Sequence, residues 1–337
     1  MFTKEKLTRI YESFNHLNVM IIGDVMVDSY IWGKVERISP EAPVPIVAVN
    51  KRSSLLGGAA NVALNIKSLG AVPVLCSVIG NDEHGNEFMN LLKAENIITD
   101  GICRSKNRIT TTKFRIIGNN AQMLRVDDEM TSDLNPEDSS ALSEKINQII
   151  DNGSINAIIF QDYNKGIITP ELISEVVAKA KKYNIPVSVD PKKKNFEAYH
   201  DVTLFKPNLK ELKEGLKLEF DSANRESLEA ATLILHQRQN IKMVMATLSE
   251  AGVFISINGN TNQPETYLIP AHRRSIADVS GAGDTVISVA TLCLALNMTP
   301  CDMAALSNLA GGLVCEFVGV APVNKKRLFE EATLLLV

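Results

Sequence analysis

The chain has 337 residues, of which 45% are hydrophobic and 22% are charged, close to the average of globular proteins. That composition excludes disordered, collagen-like, coiled-coil and disulfide-scaffold proteins. With 35 basic and 39 acidic residues, a net charge of −4 and 5% aromatic residues, the chain also lacks the basic stripe and the stacking platforms of a general nucleic-acid binder.

The first predicted elements are a short amphipathic helix over residues 3–16 and a buried strand over residues 19–22. Two β-rich runs, 30–39 and 44–49, flank a proline-rich turn and predict a projecting hairpin. A glycine pair then opens a helix that stops at Gly70.

From Gly70 onward, short apolar runs alternate with helical patterns. Predicted strands cover 72–79, 157–161, 187–190, 202–205, 241–247 and 253–257. Three further β-rich runs lie between residue 95 and about residue 126. Predicted helices cover 87–95, 136–150, 170–183, 222–236, 282–297 and 301–318. This alternation is typical of an α/β fold with a doubly wound, mainly parallel sheet and helices on both faces. The last two helices are apolar nearly all round, so we expect them to be buried.

The five cysteines are scattered without a Cys-x-x-Cys pair. Such a set indicates reduced core thiols and therefore an intracellular, cytoplasmic protein. Residues 1–17 carry charges where a secretion signal needs an apolar run. No run approaches the roughly 18 apolar residues of a membrane span, so we expect no membrane partner.

The most informative stretch is ADVSGAGDTVISVA, residues 277–290. Gly281, Ala282 and Gly283 precede an apolar helical run, and small residues there let an anion approach the N–H groups of a helix N-terminus. Asp284 follows in the first turn. Its carboxylate can accept a proton from a hydroxyl that attacks phosphorus, or it can simply stabilise the helix dipole. From the pattern alone, a proton acceptor and a stabiliser of the helix dipole are about equally expected for Asp284.

Other nucleotide and metal motifs are missing. The sequence has no GxxxxGK[ST], which disfavours a P-loop NTPase. The segment GAGDTV lacks the third glycine of GxGxxG and lies far from the first βα turn, so a Rossmann dehydrogenase fits poorly. The histidines are widely spaced, with no pair at metal-ligand spacing.

Two motifs at opposite ends of the chain, GGAANVA from Gly57 and DVSGAGDT from Asp278, resemble the two signatures of the ribokinase-like (PfkB) carbohydrate kinases. The resemblance covers essentially the whole chain, in order. It implies a doubly wound α/β domain with a small β lid, for which residues 30–52 and the strands near 110–126 are the candidates.

The resemblance also changes the expected number of domains. At about 150 residues per domain, the length alone suggests two. Family resemblance brings Asp28 and Asp284, near opposite ends of the chain, to one substrate. We therefore expect residues 1–337 to form a single kinase domain.

The resemblance implies a role for each matching residue. Asp284 is the implied catalytic base, and the Gly281, Ala282 and Gly283 amides form the implied anion hole for the transferred phosphoryl group. The implied substrate contacts are Asp24, Asp28, Gly57, Gly58 and Asn61. The implied ATP contacts are Lys206, Asn208, Glu211, Thr247, Ser249, Gly252 and Asn308.

Glu211 is further implied to organise water-bound Mg²⁺, and Asp278 and Ser280 to help form a monovalent-cation site for K⁺. A plain alternative exists for Asn208 and Glu211, because an Asn cap followed by an acidic residue three positions later also forms a capping box. Without the resemblance, Asn61 would be a helix-start residue and Asp28 a turn former at a strand end.

Within the family, the chain is most similar to the heptose-7-phosphate kinases. That activity transfers the γ-phosphoryl group of ATP to the anomeric hydroxyl of D-glycero-β-D-manno-heptose 7-phosphate, in the ADP-heptose branch of lipopolysaccharide synthesis. The similarity is carried by residues 23–47, 110–127, 161–166, 190–196 and 277–287.

The chain departs from that subfamily near the lid. The usual Ser-Arg-Asn-Gln-Gln is Gly-Asn-Asn-Ala-Gln at residues 118–122, which removes one basic side chain. Lys113, Arg115 and Arg125 are the candidates to bind the sugar phosphate instead, although about half of such strand side chains would be plain solvated faces. The lysine run at 192–194 is interpreted as a solvated run, with Lys192 facing the site as the less favoured alternative.

Two other functions stay open. Another kinase of this family could act on fructose, ribose, 2-keto-3-deoxygluconate or a nucleoside. A catalytically silent sugar- or nucleotide-binding regulator could share the fold, although intact GAGD and Asn-x-x-Glu motifs argue against it.

The expected partners are a sugar phosphate and ATP, with no nucleic acid. A second copy of the chain is expected to pair through the lid, where Trp32 and residues 44–49 offer apolar surface. Because the chain ends at Val337, nucleotidyl transfer in that pathway is expected on a separate polypeptide.

Overall fold

The computed structural model describes residues 2–220, 224–259 and 263–337. The strands in these ranges are β1 (Asn18–Gly23), β2 (Val25–Ile38), β3 (Pro45–Gly58), β4 (Val72–Gly80), β5 (Ile102–Ser105), β6 (Thr112–Gly118), β7 (Ala121–Asp128), β8 (Ala157–Gln161), β9 (Val187–Asp190), β10 (Leu204–Phe205), β11 (Met243–Thr247), β12 (Val253–Ile257) and β13 (Glu265–Ile269). The α-helices are α1 (Lys4–Ser13), α2 (Ala59–Ser68), α3 (Glu83–Ala94), α4 (Pro136–Asp151), α5 (Pro170–Lys182), α6 (Leu209–Leu216), α7 (Arg225–Gln239), α8 (Ala282–Ala295), α9 (Pro300–Val314) and α10 (Lys325–Leu335).

The main sheet has nine strands in the order β13-β12-β11-β10-β9-β8-β1-β4-β5. Pairing is parallel from β11 through β5, and β12 and β13 are antiparallel additions at one edge. The predicted α/β fold is therefore confirmed. Parallel strands align their carboxyl ends along one edge, which is where such sheets place their ligands.

Alternate residues of the central strands face two separate cores. In β1, Val19 and Ile21 pack with the cluster that includes α1, α2, α8, α9 and α10, whereas Met20 and Ile22 pack with the cluster of α4, α5, α6 and α7. Burial on both faces explains why the strand sequence is continuously apolar. Helix α8 is buried at every residue from Asp284 to Leu294, as its all-round apolar pattern predicts.

A second sheet of four strands, in the order β3-β2-β6-β7, projects from the first and is called the lid sheet here. β2 and β3 form a long antiparallel hairpin, and β6 pairs with β2 in parallel. The hairpin is longer than predicted, because it reaches back to Val25 and on to Gly58. Only Asp24 separates β1 from β2, so the lid sheet extends directly from the carboxyl edge of the main sheet.

The sequence patterns missed some elements. β13 was not predicted because it is a partly exposed edge strand, and α10 was not predicted because only Leu328 and Ala332 of it are buried. The predicted helix start at 222 lies outside the described residues, and α7 continues to Gln239.

All five cysteines are free thiols, four of them buried, as the scattered pattern predicts. Within the described ranges, no helix combines the length and the apolar character needed to cross a membrane.

Candidate active site

Three polar side chains gather where neighbouring parallel strands end. Gln161 is the last residue of β8, Asp190 is the last residue of β9, and Lys206 directly follows β10. The N-terminus of α8 points at the same edge and supplies Asp284. All four side chains are at least nine-tenths buried.

Three donors hold the carboxylate of Asp284. Asn61 Nδ2 donates to Oδ2 over 2.6 Å, while Tyr163 Oη and Gln161 Nε2 donate to Oδ1 over 2.8 and 3.1 Å. Burial raises the pKa of Asp284 to about 6, against the lowering effect of the Asn61 and Tyr163 hydrogen bonds. A carboxylate with this pKa is ionised near neutral pH and is a better proton acceptor than an ordinary aspartate.

The turn before Asp284 is shaped for a close approach by a ligand. Gly281 has a φ of 80°, and a Cβ there would lie 3.2 Å from Val320 and 3.3 Å from the Asn61 amide nitrogen. A Cβ on Gly283 would lie 3.6 Å from Lys206 Nζ, so the glycine keeps the space beside that ammonium clear. Free N–H groups at the start of α8 and a nearby cation suit a phosphate group.

Two ion pairs follow the same edge. Lys206 Nζ lies 3.1 Å from Asp190 Oδ2, with both side chains buried. Lys192 pairs with Glu211, so it is not part of the solvated run that we expected. Lys194, by contrast, lies at the surface and pairs with Asp133.

Asn208 and Glu211 form a complete capping box at the start of α6. Asn208 Oδ1 accepts from the Glu211 N–H over 2.8 Å, and Glu211 Oε2 accepts from the Asn208 N–H over 2.8 Å. The structural alternative for this pair is therefore correct. It leaves Oε1 of Glu211 directed at Lys192, so the carboxylate also belongs to the charged cluster.

The other predicted nucleotide residues lie along neighbouring strand ends. Thr247 forms an isolated parallel bridge with Asn208. In the turn that follows, Ser249 and Gly252 have φ values of 56° and 98°, and a Cβ on Gly252 would lie 2.1 Å from the Ile269 carbonyl oxygen. Asn308 Nδ2 donates to the Pro270 carbonyl over 2.8 Å, beyond the end of β13.

Asp28 lies on β2 of the lid sheet. Its Oδ1 accepts from Arg115 Nη1 over 2.6 Å, and the carboxylate is almost fully buried. A Cβ on Gly57 would lie 2.4 Å from Asp28 Oδ2, so glycine makes room for this carboxylate. Arg115 also lies over the ring of Tyr30, with 5.2 Å between the guanidinium carbon and the ring centre.

Lys113 and Arg125 lie on the same face of the lid sheet as Asp28, but they pair with other carboxylates. Lys113 Nζ lies 3.1 Å from Asp127 and 3.4 Å from Glu129. The side chain of Arg125 is 54% exposed and pairs with Asp127. Of the three predicted phosphate-binding cations, Arg115 is therefore the one in contact with a predicted substrate residue.

The structure corrects the role expected for Asp24. Its carboxylate is 1% exposed and accepts the backbone N–H groups of Tyr163, Lys165 and Ile167 over 2.7, 3.2 and 3.1 Å. Burial and the nearby Asp162 raise its pKa to about 6. Asp24 thus organises the loop after β8, which is a structural role that the sequence analysis did not expect. Gly58, with a φ of 60°, lets the chain pass close to the Asp24 carbonyl.

Asp278 and Ser280 lie together before the α8 turn. Asp278 Oδ1 accepts from the N–H and the hydroxyl of Ser280 over 2.9 and 2.8 Å, and Oδ2 accepts from the Gly319 N–H over 2.9 Å. These bonds order the loop on which the predicted cation site was placed.

Gln161, Tyr163 and Asp190 received no role in the sequence analysis. A usable signal was present, because each lies at or just after the carboxyl end of a strongly apolar strand. The hydrogen bonds to Asp284 depend on side-chain directions that the sequence pattern does not reveal.

Taken with the α/β fold and the lid sheet, a buried carboxylate beside a helix N-terminus with room for an anion is an arrangement suited to phosphoryl transfer to a hydroxyl. The family model described as "pfkB family carbohydrate kinase" matches residues 16–327. The chain belongs to this family, and the resemblance seen in the two sequence motifs is confirmed.

Curated relatives match the chain closely. The "Bifunctional protein HldE" of Helicobacter pylori strain G27 is 40% identical over 318 residues, covering 94% of this chain and 66% of the relative. The protein of the same name from Geobacter sulfurreducens is 35% identical over 323 residues, covering 95% of this chain and 64% of the relative. The chain therefore spans slightly less than two thirds of the length of these relatives.

Solved structures share the fold. Phosphofructokinase-2 from Escherichia coli, in complex with potassium, aligns with a TM-score of 0.75 at 18% identity and covers 94% of this chain and 98% of its own. Arabidopsis thaliana ribokinase, complexed with ribose and ATP, aligns with a TM-score of 0.70 at 16% identity and covers 93% and 98%.

Replacing Asp24 separates a structural role from a substrate contact. We expect Asp24→Ala to lower the free energy of unfolding by roughly 2–4 kcal/mol, because three buried N–H groups lose their acceptor. Urea denaturation measures this, with Asp133→Ala at the half-exposed surface as a control that should change stability by less than about 0.5 kcal/mol. Unchanged stability together with a tenfold higher KM for the sugar would instead place Asp24 in the sugar site.

Proposed function

We propose that this kinase uses ATP and Mg²⁺ to phosphorylate the anomeric hydroxyl of D-glycero-β-D-manno-heptose 7-phosphate. The observation that carries the kinase part is the buried Asp284 carboxylate at the N-terminus of α8, beside Gly281 and Gly283. The heptose part is supported by the subfamily motifs in the sequence and by relatives at 35–40% identity over nearly the whole chain.

Asp284 is placed to accept the proton of the attacking hydroxyl. As the hydroxyl O–H bond breaks, its oxygen forms the new bond to phosphorus, and the bond to the ADP oxygen breaks with its electron pair leaving on ADP. Asn61 holds the carboxylate from the side of α2, so it orients the base during this transfer.

The charges around the turn fit a transferring phosphoryl group. N–H groups at the start of α8 and the buried ammonium of Lys206 can stabilise the negative charge that spreads over the phosphoryl oxygens. Glu211 and Asp190 supply the carboxylates suited to water-bound Mg²⁺, which adds charge neutralisation when it is bound. Asn208 and Thr247 lie beside them and are proposed to contact the nucleotide.

The lid sheet is proposed to hold the sugar phosphate. Asp28 offers an acceptor to sugar hydroxyls, and Arg115 beside it offers a cation. Lys165, which pairs with Glu129 over 2.6 Å next to Lys113, adds a second positive group on the same side. Together these cations could replace the basic residue that the subfamily carries at 118–122.

Phosphorus NMR tests the proposed reaction. With ATP, Mg²⁺ and heptose 7-phosphate, we expect a second, anomeric phosphate signal to appear beside the original one. The Asp284→Asn variant should lose at least about a thousandfold in kcat, because the base is gone, while ATP binding stays within a few-fold. Faster turnover of free fructose, ribose or a nucleoside than of the heptose phosphate would contradict the substrate.

We also propose that two copies pair through the lid sheet. Cross-strand pairing places Ile31, Ile116 and Leu124 on the face opposite Asp28, next to Phe114 and Val126. The exposed fractions of Leu124 and Val126 are 54% and 44%, high for apolar residues in a sheet. A second copy of the same face would cover them.

A charge on that face tests the pairing. We expect wild type to have twice the chain mass of 36.9 kDa in light scattering, and Leu124→Asp to have the monomer mass. Leu334→Asp is the matched control, because Leu334 is 80% exposed on α10, and it should leave the mass unchanged. A wild-type monomer, or a Leu124→Asp dimer, would contradict the pairing.

The K⁺ site at Asp278 and Ser280 stays a prediction. A potassium complex is known for Escherichia coli phosphofructokinase-2, which shares the fold. The ordered loop formed by the Asp278 hydrogen bonds gives such a site a possible frame.

A further inference from the structure

Tyr163, in the loop after β8, is the one hydroxyl side chain that donates to the carboxylate of Asp284 among the described residues. Asp284 Oδ1 accepts from Tyr163 Oη and Gln161 Nε2, whereas within the described ranges Oδ2 accepts only from Asn61 Nδ2. A carboxylate oxygen has about two lone pairs. Oδ1 is therefore saturated, and Oδ2 retains one lone pair for a further hydrogen bond.

We infer that Tyr163 is a positioning residue of this kinase, which together with Gln161 occupies Oδ1 of Asp284 and so makes Oδ2 the oxygen that takes the proton from the sugar hydroxyl. This inference rests on the proposed role of Asp284 as the base. It assigns the two oxygens of one carboxylate to different tasks, one for holding and one for proton transfer.

The loop that carries Tyr163 is fixed on several sides. Asp24 accepts the Tyr163 N–H, and Asp162 accepts the Asn164 N–H over 2.7 Å. Arg108 donates to the Lys165 carbonyl from the other side. Buried charged side chains therefore hold the backbone of this loop. We take this as an indication that the fold fixes the position of the Tyr163 ring.

Backbone conformation points the same way. Asn164 has a φ of 56° and Gly166 a φ of 85°, and a Cβ on Gly166 would lie 2.0 Å from the Ser132 carbonyl oxygen. Residues in the left-handed region are uncommon outside glycine and are retained where a particular chain path is needed. Here that path directs Tyr163 at Asp284.

Gln161 completes the arrangement. Its amide nitrogen donates to Asp284 Oδ1 and to Asp190 Oδ2, over 3.1 and 3.2 Å, so it separates two carboxylates that would otherwise repel each other. Lys206 Nζ lies 3.1 Å from Asp190 Oδ2 and balances its negative charge. The buried Gln161 Oε1 has no hydrogen-bond partner among the residues that the structure describes, so it can accept from a bound hydroxyl.

The charged and titratable groups facing Asp284 are Asp190, Lys206, Lys192 and Tyr163. Burial and the Asp284 carboxylate hold the pKa of Tyr163 well above its ordinary value, so its hydroxyl keeps its proton and acts only as a donor. That hydrogen bond lowers the pKa of Asp284. Removing the hydroxyl should therefore raise the Asp284 pKa and require a higher pH to ionise the base.

Tyr163→Phe tests the inference, with Tyr199→Phe as the matched control. Tyr199 also donates a phenol hydrogen bond to a buried carboxylate, but to Asp162 over 3.2 Å and not to Asp284. Carbon NMR of labelled aspartate follows the Asp284 carboxyl signal, which is identified by its loss in Asp284→Asn. We expect its titration midpoint to move to higher pH in Tyr163→Phe and to stay at the wild-type value in Tyr199→Phe.

Kinetics provide the second readout, with the best sugar found for the wild type. Tyr163→Phe should lose roughly tenfold in kcat/KM at pH 6 but less than about threefold at pH 8.5, since the deprotonated base is restored there. An unchanged midpoint, an equal shift in Tyr199→Phe, or a loss that is the same at every pH would overturn the inference. If Tyr163→Phe does not fold, Gln161→Leu removes the other Oδ1 donor and should shift the midpoint in the same direction.

Failure of the proposed function looks different. In that case wild type transfers no phosphoryl group to any sugar, while the carboxyl titration still reports whether Tyr163 holds Asp284.

Discussion

The site depends on keeping one carboxylate charged inside the protein. Burying an unpaired carboxylate is costly, and the usual result is a protonated group. Here Asn61, Gln161 and Tyr163 each donate to Asp284, and the start of α8 adds the positive end of a helix dipole. These contacts limit the rise in the pKa of Asp284, so the group stays ionised at neutral pH yet basic enough to accept a proton.

Each of the three donors comes from a different element of the fold. Asn61 is on α2, directly after the Gly57-Gly58 pair at the end of the lid hairpin. Gln161 is the last residue of β8. Tyr163 lies in the following loop, and its N–H donates to Asp24 at the junction of β1 and β2. The hydrogen bonds around the Asp284 carboxylate therefore form only when the main sheet, the lid hairpin and α8 have all come together, which couples the arrangement of this carboxylate to folding.

Much of this could be predicted from the sequence. Alternating apolar strands and helices predicted the α/β fold, and the small-residue turn before Asp284 predicted the start of α8. Asp24, however, was expected to contact the sugar on the basis of the family resemblance. The sequence cannot show that three N–H groups from residues far along the chain converge on that carboxylate.

The charged residues were the hardest to predict. Lys192 and Lys194 occur in one lysine run after β9. The side chain of Lys192 pairs with Glu211, whereas that of Lys194 lies at the surface and pairs with Asp133. Arg115 and Arg125 are direct cross-strand neighbours, yet only Arg115 reaches Asp28. Which carboxylate each of these cations pairs with depends on the direction of its side chain and on the carboxylates within reach. Neither follows from strand periodicity.

The most direct test of Asp284 as a buried base is the pH dependence of kcat/KM for sugar phosphorylation. If Asp284 must be ionised and burial raises its pKa to about 6, activity should fall tenfold per pH unit below a midpoint near 6. A midpoint at the ordinary aspartate value of about 4, or no acid limb above that pH, would contradict it.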